Sequence, residues 1–364
     1  MAFEARKFSR TQVDRAGALF RQSSPDPSAL QEAQNILGNW RAAHAFPLNT
    51  IAMDLLQKLR RLDQRQMPVR RLKRAPSIVA KLRSKKSMRL TQMQDIGGCR
   101  AVLSSMEQLG DIRSLFENSR SRHQFVDEID YVAKPRKTGY RSIHRVYRFQ
   151  GRQPGAYDGL LIEVQLRTRL QHAWATAVET VGAILGQDLK AGDGEQPWLD
   201  LFRDSAAAFA FLEKANRVPG TPQRPGQLAR DVSKKLKDLG VRARLSAYRK
   251  TLQVTSSKSA KDAAYFVLEL RPDKGRLRVH PFTRHQLQAA YALLGSLEST
   301  LMLPEVGKQA VLFSGMAETI GPQFVLVGAA SLKAVRASYP NYYADTDFFV
   351  TQLGQFVERF RHWR

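Results

Sequence analysis

The sequence is short of cysteine and of long apolar runs, and each shortage limits what the chain can be. Cys99 is the one cysteine among 364 residues, which excludes an intramolecular disulfide and any zinc site built from several cysteines. We therefore expect a reducing compartment, with the cytoplasm as the default location. No run approaches the roughly 20 apolar residues that cross a bilayer, and the N-terminus lacks a signal-peptide pattern. No membrane partner is expected.

Acidic residues are also scarce, since 33 Asp and Glu stand against 58 Lys and Arg and leave a net charge of +25. The excess is strongest at the start, where the first ninety residues carry 19 basic and six acidic residues. Such a charge attracts polyanions through Coulomb steering and counterion release. The predicted partner class is nucleic acid or a nucleotide polyphosphate. A basic surface that is merely solvated is the alternative.

The spacing of apolar residues predicts a mixed α/β (α+β) sheet with flanking helices. Helices are predicted at 9–20, 28–64 with a break near Pro47, 76–86, 106–118, 169–185 and 197–216. Strands are predicted at 99–103, 125–132, 143–149 and 160–166. The family resemblance given below implies a fold similar to nucleotidyltransferases.

A segment rich in proline and glycine, 218–227, predicts a linker between two domains. The first domain would span 1–217 and the second 228–364. In the second domain, a small antiparallel sheet is predicted from 241–248, 252–255, 265–270 and 277–280, followed by helices at 286–301 and 331–338. We interpret it as a smaller α+β module.

Two segments in the first domain suit phosphate and metal binding. Residues 70–81 cluster cations before and within a predicted helix, where Ser77 and Lys81 share a face. Arg71 there suits stacking on a purine, because a guanidinium is planar and weakly hydrated. Asp95 precedes two glycines and Arg100, and its carboxylate suits Mg²⁺, which prefers oxygen ligands. Each segment by itself has an alternative interpretation. The first could be a solvated basic helix, and the second an ordinary Asp-Gly turn.

A loop and a strand supply the other candidate residues. Residues 130–144 interleave aromatic and cationic side chains, with Tyr140 as a platform for a base. The two-residue period of 162–168 places its polar side chains on one side of a strand, which predicts a ligand-lined cleft or else a solvent-facing edge. His172 lies at the start of the next predicted helix. Its side chain either contacts an acceptor substrate or has only a structural role. The polar residues of the loop and strand are Lys134, Arg136, Lys137, Arg141, His144, Glu163, Gln165 and Arg167.

In this order, the segments resemble the synthetase domain of the RelA/SpoT family, whose enzymes move pyrophosphate from ATP onto a ribose hydroxyl. The match covers roughly residues 30–215, and its most specific pieces are 139–144, 163–168 and 171–174. The resemblance implies that Arg71 and Arg100 sandwich adenine, that Lys73, Ser77 and Lys81 bind the ATP phosphates, and that Asp95 and Glu163 hold Mg²⁺. It implies that Tyr140 stacks on the acceptor base and that Glu163 deprotonates the attacking 3′-hydroxyl. The implied substrate-binding residues are Tyr140, Lys137, Arg141, His144, Gln165, Arg167 and His172.

The second domain resembles the tail of the CapRel-like group of fused toxin–antitoxin proteins, through residues 338–346. That resemblance implies a pseudo-zinc-finger-like domain that folds over the ATP site, with Tyr339 and Tyr342 holding the closed, autoinhibited state. It also implies pyrophosphate transfer to the 3′-CCA end of tRNA, a block of translation, release by a phage capsid protein and a role in anti-phage defence. No His-Asp dipeptide occurs, so the alarmone hydrolase domain of long family members is missing.

Three hypotheses remain open at this point. The chain is a tRNA-modifying toxin with a built-in antitoxin, or a synthetase that converts GDP or GTP to ppGpp or pppGpp, or an RNA-binding regulator without turnover. Asp95 and Glu163 together argue against the third. We also expect deletion of the residues after about 220 to make the remaining chain more toxic.

Overall fold

Helices and strands follow one another in short runs along the chain. The computed structural model describes residues 3–63, 68–256, 262–302, 322–329, 331–338, 343 and 346–363. The helices are α1 (Arg10–Leu19), α2 (Pro27–Ala43), α3 (Ala45–Arg60), α4 (Ala75–Ser84), α5 (Met106–Glu117), α6 (Arg169–Leu185), α7 (Gln196–Leu212), α8 (Pro225–Asp238), α9 (Val241–Thr251), α10 (Leu287–Met302), α11 (Leu332–Ser338) and α12 (Asp347–Phe360). The strands are β1 (Val69–Leu72), β2 (Gly97–Leu103), β3 (Gln124–Asp130), β4 (Ile143–Arg148), β5 (Leu161–Thr168), β6 (Gln253–Ser256), β7 (Ala263–Arg271), β8 (Arg276–Thr283) and β9 (Gln323–Gly328).

In the described part of the chain, the strands form one mixed sheet of nine strands in the order β3-β4-β5-β2-β1-β9-β7-β8-β6. The β2–β5 and β6–β8 pairs are parallel, and the other neighbours are antiparallel. The predicted α+β class with a mixed sheet and flanking helices is confirmed. Within these ranges, no helix is both long and apolar enough to cross a bilayer.

The two faces of the sheet differ in chemistry because successive residues of a strand point to opposite sides. On one face, Leu72, Cys99 and Val164 enter an apolar core that α3 and α5 cover. On the other face, Arg71 lies opposite Gly98, and Gly98 lies opposite Glu163. We call this second side the polar face.

The last helix packs into a core that the first half of the chain builds. Phe349 of α12 is 1% exposed, and its ring lies 6.0 Å from that of Phe202 and 5.6 Å from that of Phe209, both on α7. Helices α6 and α8 line the same cluster. Residues before and after the predicted linker therefore share one apolar core.

The strands of the predicted second domain do not form a sheet of their own. Strand β9 pairs with β1, so that Arg71 lies opposite Val327, and the sheet continues from the first half of the chain into the second. The segment 241–248 is wrong as a strand, since it lies in α9. Val241 and Leu245, one helical turn apart, are its buried side chains, and this spacing favours a helix.

Two predicted breaks also shift. The long helical segment 28–64 divides at His44, between α2 and α3, rather than at Pro47. Pro47 lies in the first turn of α3, where a missing N–H costs no helical hydrogen bond. Likewise Pro225 starts α8 inside the predicted linker. Pro47 and Pro225 thus both lie in the first turn of a helix, at positions where the sequence pattern predicts a break in the helical structure.

Candidate active site

The parallel pairing of β2 with β5 assembles a row of functional side chains on the polar face. Gly98 lies opposite Glu163 and Arg100 lies opposite Gln165, while β4 adds His144 on the far side of Gln165. Gly98 is a direct neighbour of this carboxylate, since a Cβ there would lie 3.8 Å from Oε2 of Glu163. Three segments far apart in sequence thus meet on one surface.

Asp95, two residues before β2, is bound by two lysines. Nζ of Lys73 and Nζ of Lys81 donate to different carboxylate oxygens, each at 3.0 Å. Burial by itself would raise the pKa of Asp95, but the charges of the two lysines outweigh burial and hold that pKa well below its usual range. Asp95 is therefore ionised at neutral pH and links the β1–α4 turn to β2.

Glu163 and four neighbouring side chains form a closed ring of hydrogen bonds. Nδ1 of His144 lies 2.6 Å from Oε1 of Glu163, and Nε2 of His144 lies 2.7 Å from the hydroxyl of Tyr140. Arg167 donates to that hydroxyl at 2.6 Å and to Oε1 of Gln165 at 3.1 Å. Gln165 closes the ring by donating to Oε2 of Glu163 at 2.6 Å. The ring fixes the orientation of the carboxylate.

The ring also shifts the acidity of its members. Burial would raise the pKa of Glu163, but the hydrogen bond and charge of His144 lower it overall. Burial would raise the pKa of Tyr140 too, yet Arg167, His144 and Lys190 lower it to about 7. The pKa of His144 is raised, since Tyr140 and Glu163 outweigh its burial. Glu163 is thus an ionised carboxylate next to a histidine of raised pKa and near a tyrosine of lowered pKa.

Asp95 and Glu163 fit a magnesium site. They are electrostatic neighbours on the polar face, because the charge of Asp95 acts to raise the pKa of Glu163. Across the described ranges, no group of three or more His, Cys, Asp or Glu side chains is placed to hold a metal ion. A cation here would take two carboxylates from the protein and its other ligands from water and substrate phosphates, which is how Mg²⁺ commonly binds.

The loop between β3 and β4 is fixed by Gly139. Its φ of +95° is a conformation that side chains disfavour, and a Cβ there would lie 2.6 Å from Cβ of Ala206 on α7. Close approach to α7 brings the neighbouring Tyr140 under α6 and next to His144. Lys137 stays exposed at the tip of the loop.

Tyr140 is enclosed rather than open. Its side chain is 6% exposed, and the guanidinium of Arg167 and Nζ of Lys190 lie 5.2 and 5.5 Å from its ring centre. Tyr131 and Trp174 meet it edge-on. The ring faces of Tyr140 are therefore covered, and Lys190, about one third exposed, is the most accessible of the side chains named here that cover it.

Helix α6 contributes two residues to the polar face, His172 and Glu179. Both ring nitrogens of His172 are buried without a hydrogen-bond partner. Burial and the charges of Arg100 and Arg167 hold its pKa well below the usual value, so the ring is neutral. Two turns along the same face of α6, Glu179 pairs with Lys190 at 2.6 Å. Burial would raise its pKa, but Lys190 and other cations lower that pKa to about 2.

One predicted residue is not brought to this cluster. Arg141 is 3% exposed and lies 2.8 Å from Glu213, at the end of α7. It lies two residues before Ile143, the first residue of β4, whose side chain points into the apolar core. This placement does not support the predicted phosphate contact. Ser77 lies in the first turn of α4, and Tyr339 and Tyr342 lie outside the described residues.

Sequence reasoning missed Glu179 and Lys190 as members of the site. Glu179 follows His172 by seven positions, two turns of a helix, so helical periodicity alone places both on one face. Lys190 has no comparable signal, because it lies in the loop between α6 and α7 and reaches the site through Glu179. A loop residue of this kind is found only from coordinates.

Comparison with known proteins agrees with the geometry. Residues 70–181 match the region found in RelA/SpoT proteins. Over 158 residues the chain is 32% identical to the GTP pyrophosphokinase YjbM of Bacillus subtilis, an alignment covering 42% of this chain and 71% of that protein. The chain belongs to the RelA/SpoT family. The resemblance to a RelA/SpoT-type synthetase is therefore confirmed, and pyrophosphokinase activity is supported.

Solved structures of this RelA/SpoT family are also similar to the chain. Small alarmone synthetase 2 from Bacillus subtilis is 20% identical, with a TM-score of 0.41 over 48% of this chain and 93% of that one. A GTP pyrophosphokinase family protein from Streptococcus pneumoniae is 20% identical, with a TM-score of 0.40 over 47% and 86% of the two chains.

Proposed function

We propose that this RelA/SpoT protein transfers pyrophosphate from ATP, with Mg²⁺, to the 3′-hydroxyl of the tRNA CCA end and thereby stops translation. The observation that carries the catalytic part is the pair of ionised carboxylates on the polar face, one held by Lys73 and Lys81 and the other by His144 and Gln165. Cations that could bind a triphosphate, beside an oriented carboxylate that could act as a base, support this proposal.

In the proposed reaction, the acceptor 3′-oxygen forms a bond to the β-phosphorus of ATP. The bond between that phosphorus and the oxygen bridging to the α-phosphate breaks, and AMP leaves. Glu163 takes the hydroxyl proton, and His144 and Gln165 keep its carboxylate in position. Lys73 and Lys81 exchange Asp95 for phosphate oxygens, while Arg71 and Arg100 hold the adenine. Mg²⁺ between Asp95 and Glu163 would neutralise phosphate charge.

The basic helices α8 and α9 favour an RNA acceptor. Residues 225–251 carry eight Lys and Arg and two Asp. Arg244 lies 6.0 Å from the ring centre of Trp198, and Trp198, Phe202, Trp174 and Tyr140 follow one another at 6.3–6.4 Å. These rings are buried in the core shared by α6 and α7, so the cationic surface of α8 and α9 packs on the same core as Tyr140. The phosphates of helical RNA can bind to this basic surface.

A second candidate acceptor is GDP or GTP, which would make the chain a (p)ppGpp synthetase. The 32% identity to a protein named GTP pyrophosphokinase favours it. Both candidates use the same donor site, so only the acceptor distinguishes them.

Incubation with γ-labelled ATP tests the proposal. We expect label on tRNA when tRNA and GDP are both present, and no label on tRNA from which the terminal adenosine has been removed. Label on guanosine nucleotide alone would favour the second candidate. Label on neither, with a folded protein, would reject both enzyme hypotheses.

The autoinhibition inferred from the sequence remains part of the proposal. Val335 of α11 and Tyr343 pack with Val327 and Val69 on the polar face, the side that carries Arg71, and this supports control of the donor site by the tail. Because α8 and α12 share the core of α6 and α7, deletion after residue 220 would remove packing as well as inhibition. The sharper test replaces Tyr339 and Tyr342 by Ala in the full chain, which should increase toxicity in cells.

A further inference from the structure

A buried ion pair joins the second half of the chain to the turn between β1 and α4. Arg41 of α2 and Glu298 of α10 are 7% and 3% exposed, and they meet through two hydrogen bonds of 2.5 and 3.1 Å. The residues are 257 positions apart in sequence. A two-point contact of this kind fixes direction as well as distance.

Both members of the pair also bind the backbone of the same turn. Nε of Arg41 donates to the carbonyl oxygen of Lys73 at 2.9 Å, and the backbone N–H of Ala75 donates to Oε1 of Glu298 at 3.3 Å. Arg74, the N-cap residue of α4, makes no capping hydrogen bond with its own side chain. Glu298 therefore supplies the cap for α4 from a distant helix, and its charge suits the positive end of the helix dipole.

This turn carries the donor-binding residues of the proposed function. Lys73 is part of the turn itself, and Lys81 lies farther along α4. Both side chains converge on Asp95. A shift of the turn would move both ammonium groups relative to Asp95, so the position of α10 is coupled to the phosphate site.

Glu298 reaches the turn from behind the sheet. Helix α10 packs on Phe324 and Leu326, whereas the alternate residue of β9, Val327, lies opposite Arg71 on the polar face. The carboxylate thus supports the turn from the apolar side and does not occupy the space of the substrate. Removing it would leave Arg41 as a buried charge without its carboxylate partner, which is costly.

We propose that Glu298 is a positioning residue for the donor site, through which helix α10 sets the placement of Lys73 and α4. The inference rests on the proposed function, in that these residues bind the ATP triphosphate. The second half of the chain is then required to hold the donor site in place. A partner that displaces α10 would weaken ATP binding without contacting the polar face.

The test compares Glu298→Ala and Glu298→Gln with Glu269→Ala in the full chain. Glu269 is a matched control, because it is a 4% exposed glutamate of the same half and pairs with Arg271 and His280 of β7 and β8, not with the β1–α4 turn. We expect Glu298→Ala to lower kcat/KM for ATP by about 10- to 100-fold through KM. Glu298→Gln should lower kcat/KM for ATP by a smaller factor. The KM for the acceptor should not change in either variant. Glu269→Ala should lower the melting temperature while leaving KM for ATP as in the wild type.

Binding of a non-hydrolysable ATP analogue separates the two levels of the proposal. If the wild-type protein does not bind the analogue, the proposed function fails. If the wild type binds and a folded Glu298→Ala binds equally well, only the positioning role is overturned. An equal loss of ATP affinity in Glu298→Ala and Glu269→Ala would also overturn it, since the effect would then be general destabilisation.

Discussion

Nδ1 of His144 lies 2.6 Å from Oε1 of Glu163, and this contact determines which ring nitrogen carries hydrogen. An ionised carboxylate is an acceptor only, so Nδ1 must be the donor. In the neutral ring, Nε2 is then left to accept from the hydroxyl of Tyr140, 2.7 Å away. The hydrogen-bond direction around Glu163 is therefore set by its own charge.

Replacing Glu163 by Gln should stop the reaction and keep the fold. The amide has the same size but cannot take the acceptor proton, so we expect pyrophosphate transfer to fall by at least about 10²-fold. Transfer is measured with γ-labelled ATP, and folding is checked by thermal unfolding. In cells, growth inhibition should disappear.

The RNA-binding regulator hypothesis gives the opposite result for this variant. Under that hypothesis a folded Glu163→Gln protein still inhibits growth, because binding and not turnover is responsible. Inhibition without transfer would therefore end the enzyme interpretation.

One tyrosine should titrate near neutral pH. The pKa of Tyr140 is about 7, below the unfolded value of about 10, so the folded state loses the proton first. The group then contributes stability that is fully present above pH 10 and is lost as the pH falls to 7. Ultraviolet absorbance of tyrosinate should rise around pH 7 for one residue in the wild type.

Tyr140→Phe is the control for this titration. It removes the acidic proton, keeps the ring, and should abolish the absorbance step near pH 7. A step that persists in Tyr140→Phe would assign it to another tyrosine. A first step only near pH 10 would contradict the shift that Arg167 and His144 cause.

Local patterns in the sequence were enough to predict most of the site. The period of two in β5 placed Glu163 and Gln165 on one face, and the parallel register with β2 then brought Glu163 opposite Gly98. The same pattern gave no information on Arg141. Arg141 lies two residues before β4, and its side chain pairs with Glu213 at the end of α7, a contact that depends on tertiary packing.

Contacts between distant segments explain what the sequence did not predict. Strand β9 continues the sheet only because β1 offers a free edge to it, and neither strand was predicted. The pair of Arg41 and Glu298 has no local signature, since each residue alone is an ordinary charge on a helix. The predicted domain boundary at 218–227 is based on local composition. The core around Phe349 is built from residues that precede this segment and residues that follow it.

Neutralising exposed cations of α8 and α9 should weaken the binding of an RNA acceptor and leave transfer to a nucleotide acceptor unchanged. Lys237, Arg242 and Lys250 are exposed, and their replacement by Gln should lower the slope of log affinity for tRNA against log salt by about 2–3. Transfer to GDP, if the wild type shows any, should not change. Filter binding over a range of salt concentrations measures the slope.

A second triple variant locates the surface. Arg15, Arg60 and Arg61 are exposed cations of the first half, on α1 and at the end of α3, and their replacement by Gln removes the same charge. We expect little loss of tRNA transfer from it. If this variant loses transfer and the variant of α8 and α9 does not, tRNA binds the N-terminal helices instead.

Phe349→Ala should destabilise the whole chain and not only its end. The ring is 1% exposed and packs between Phe202 and Phe209 of α7, so its removal should lower the free energy of unfolding by about 3–5 kcal/mol. Phe348→Ala is the control, because it deletes the same atoms from a half-buried position and should cost less. Calorimetry should show a single transition that moves to lower temperature. Two transitions, with the larger one unchanged by Phe349→Ala, would mean that α12 is a separable addition to the catalytic core.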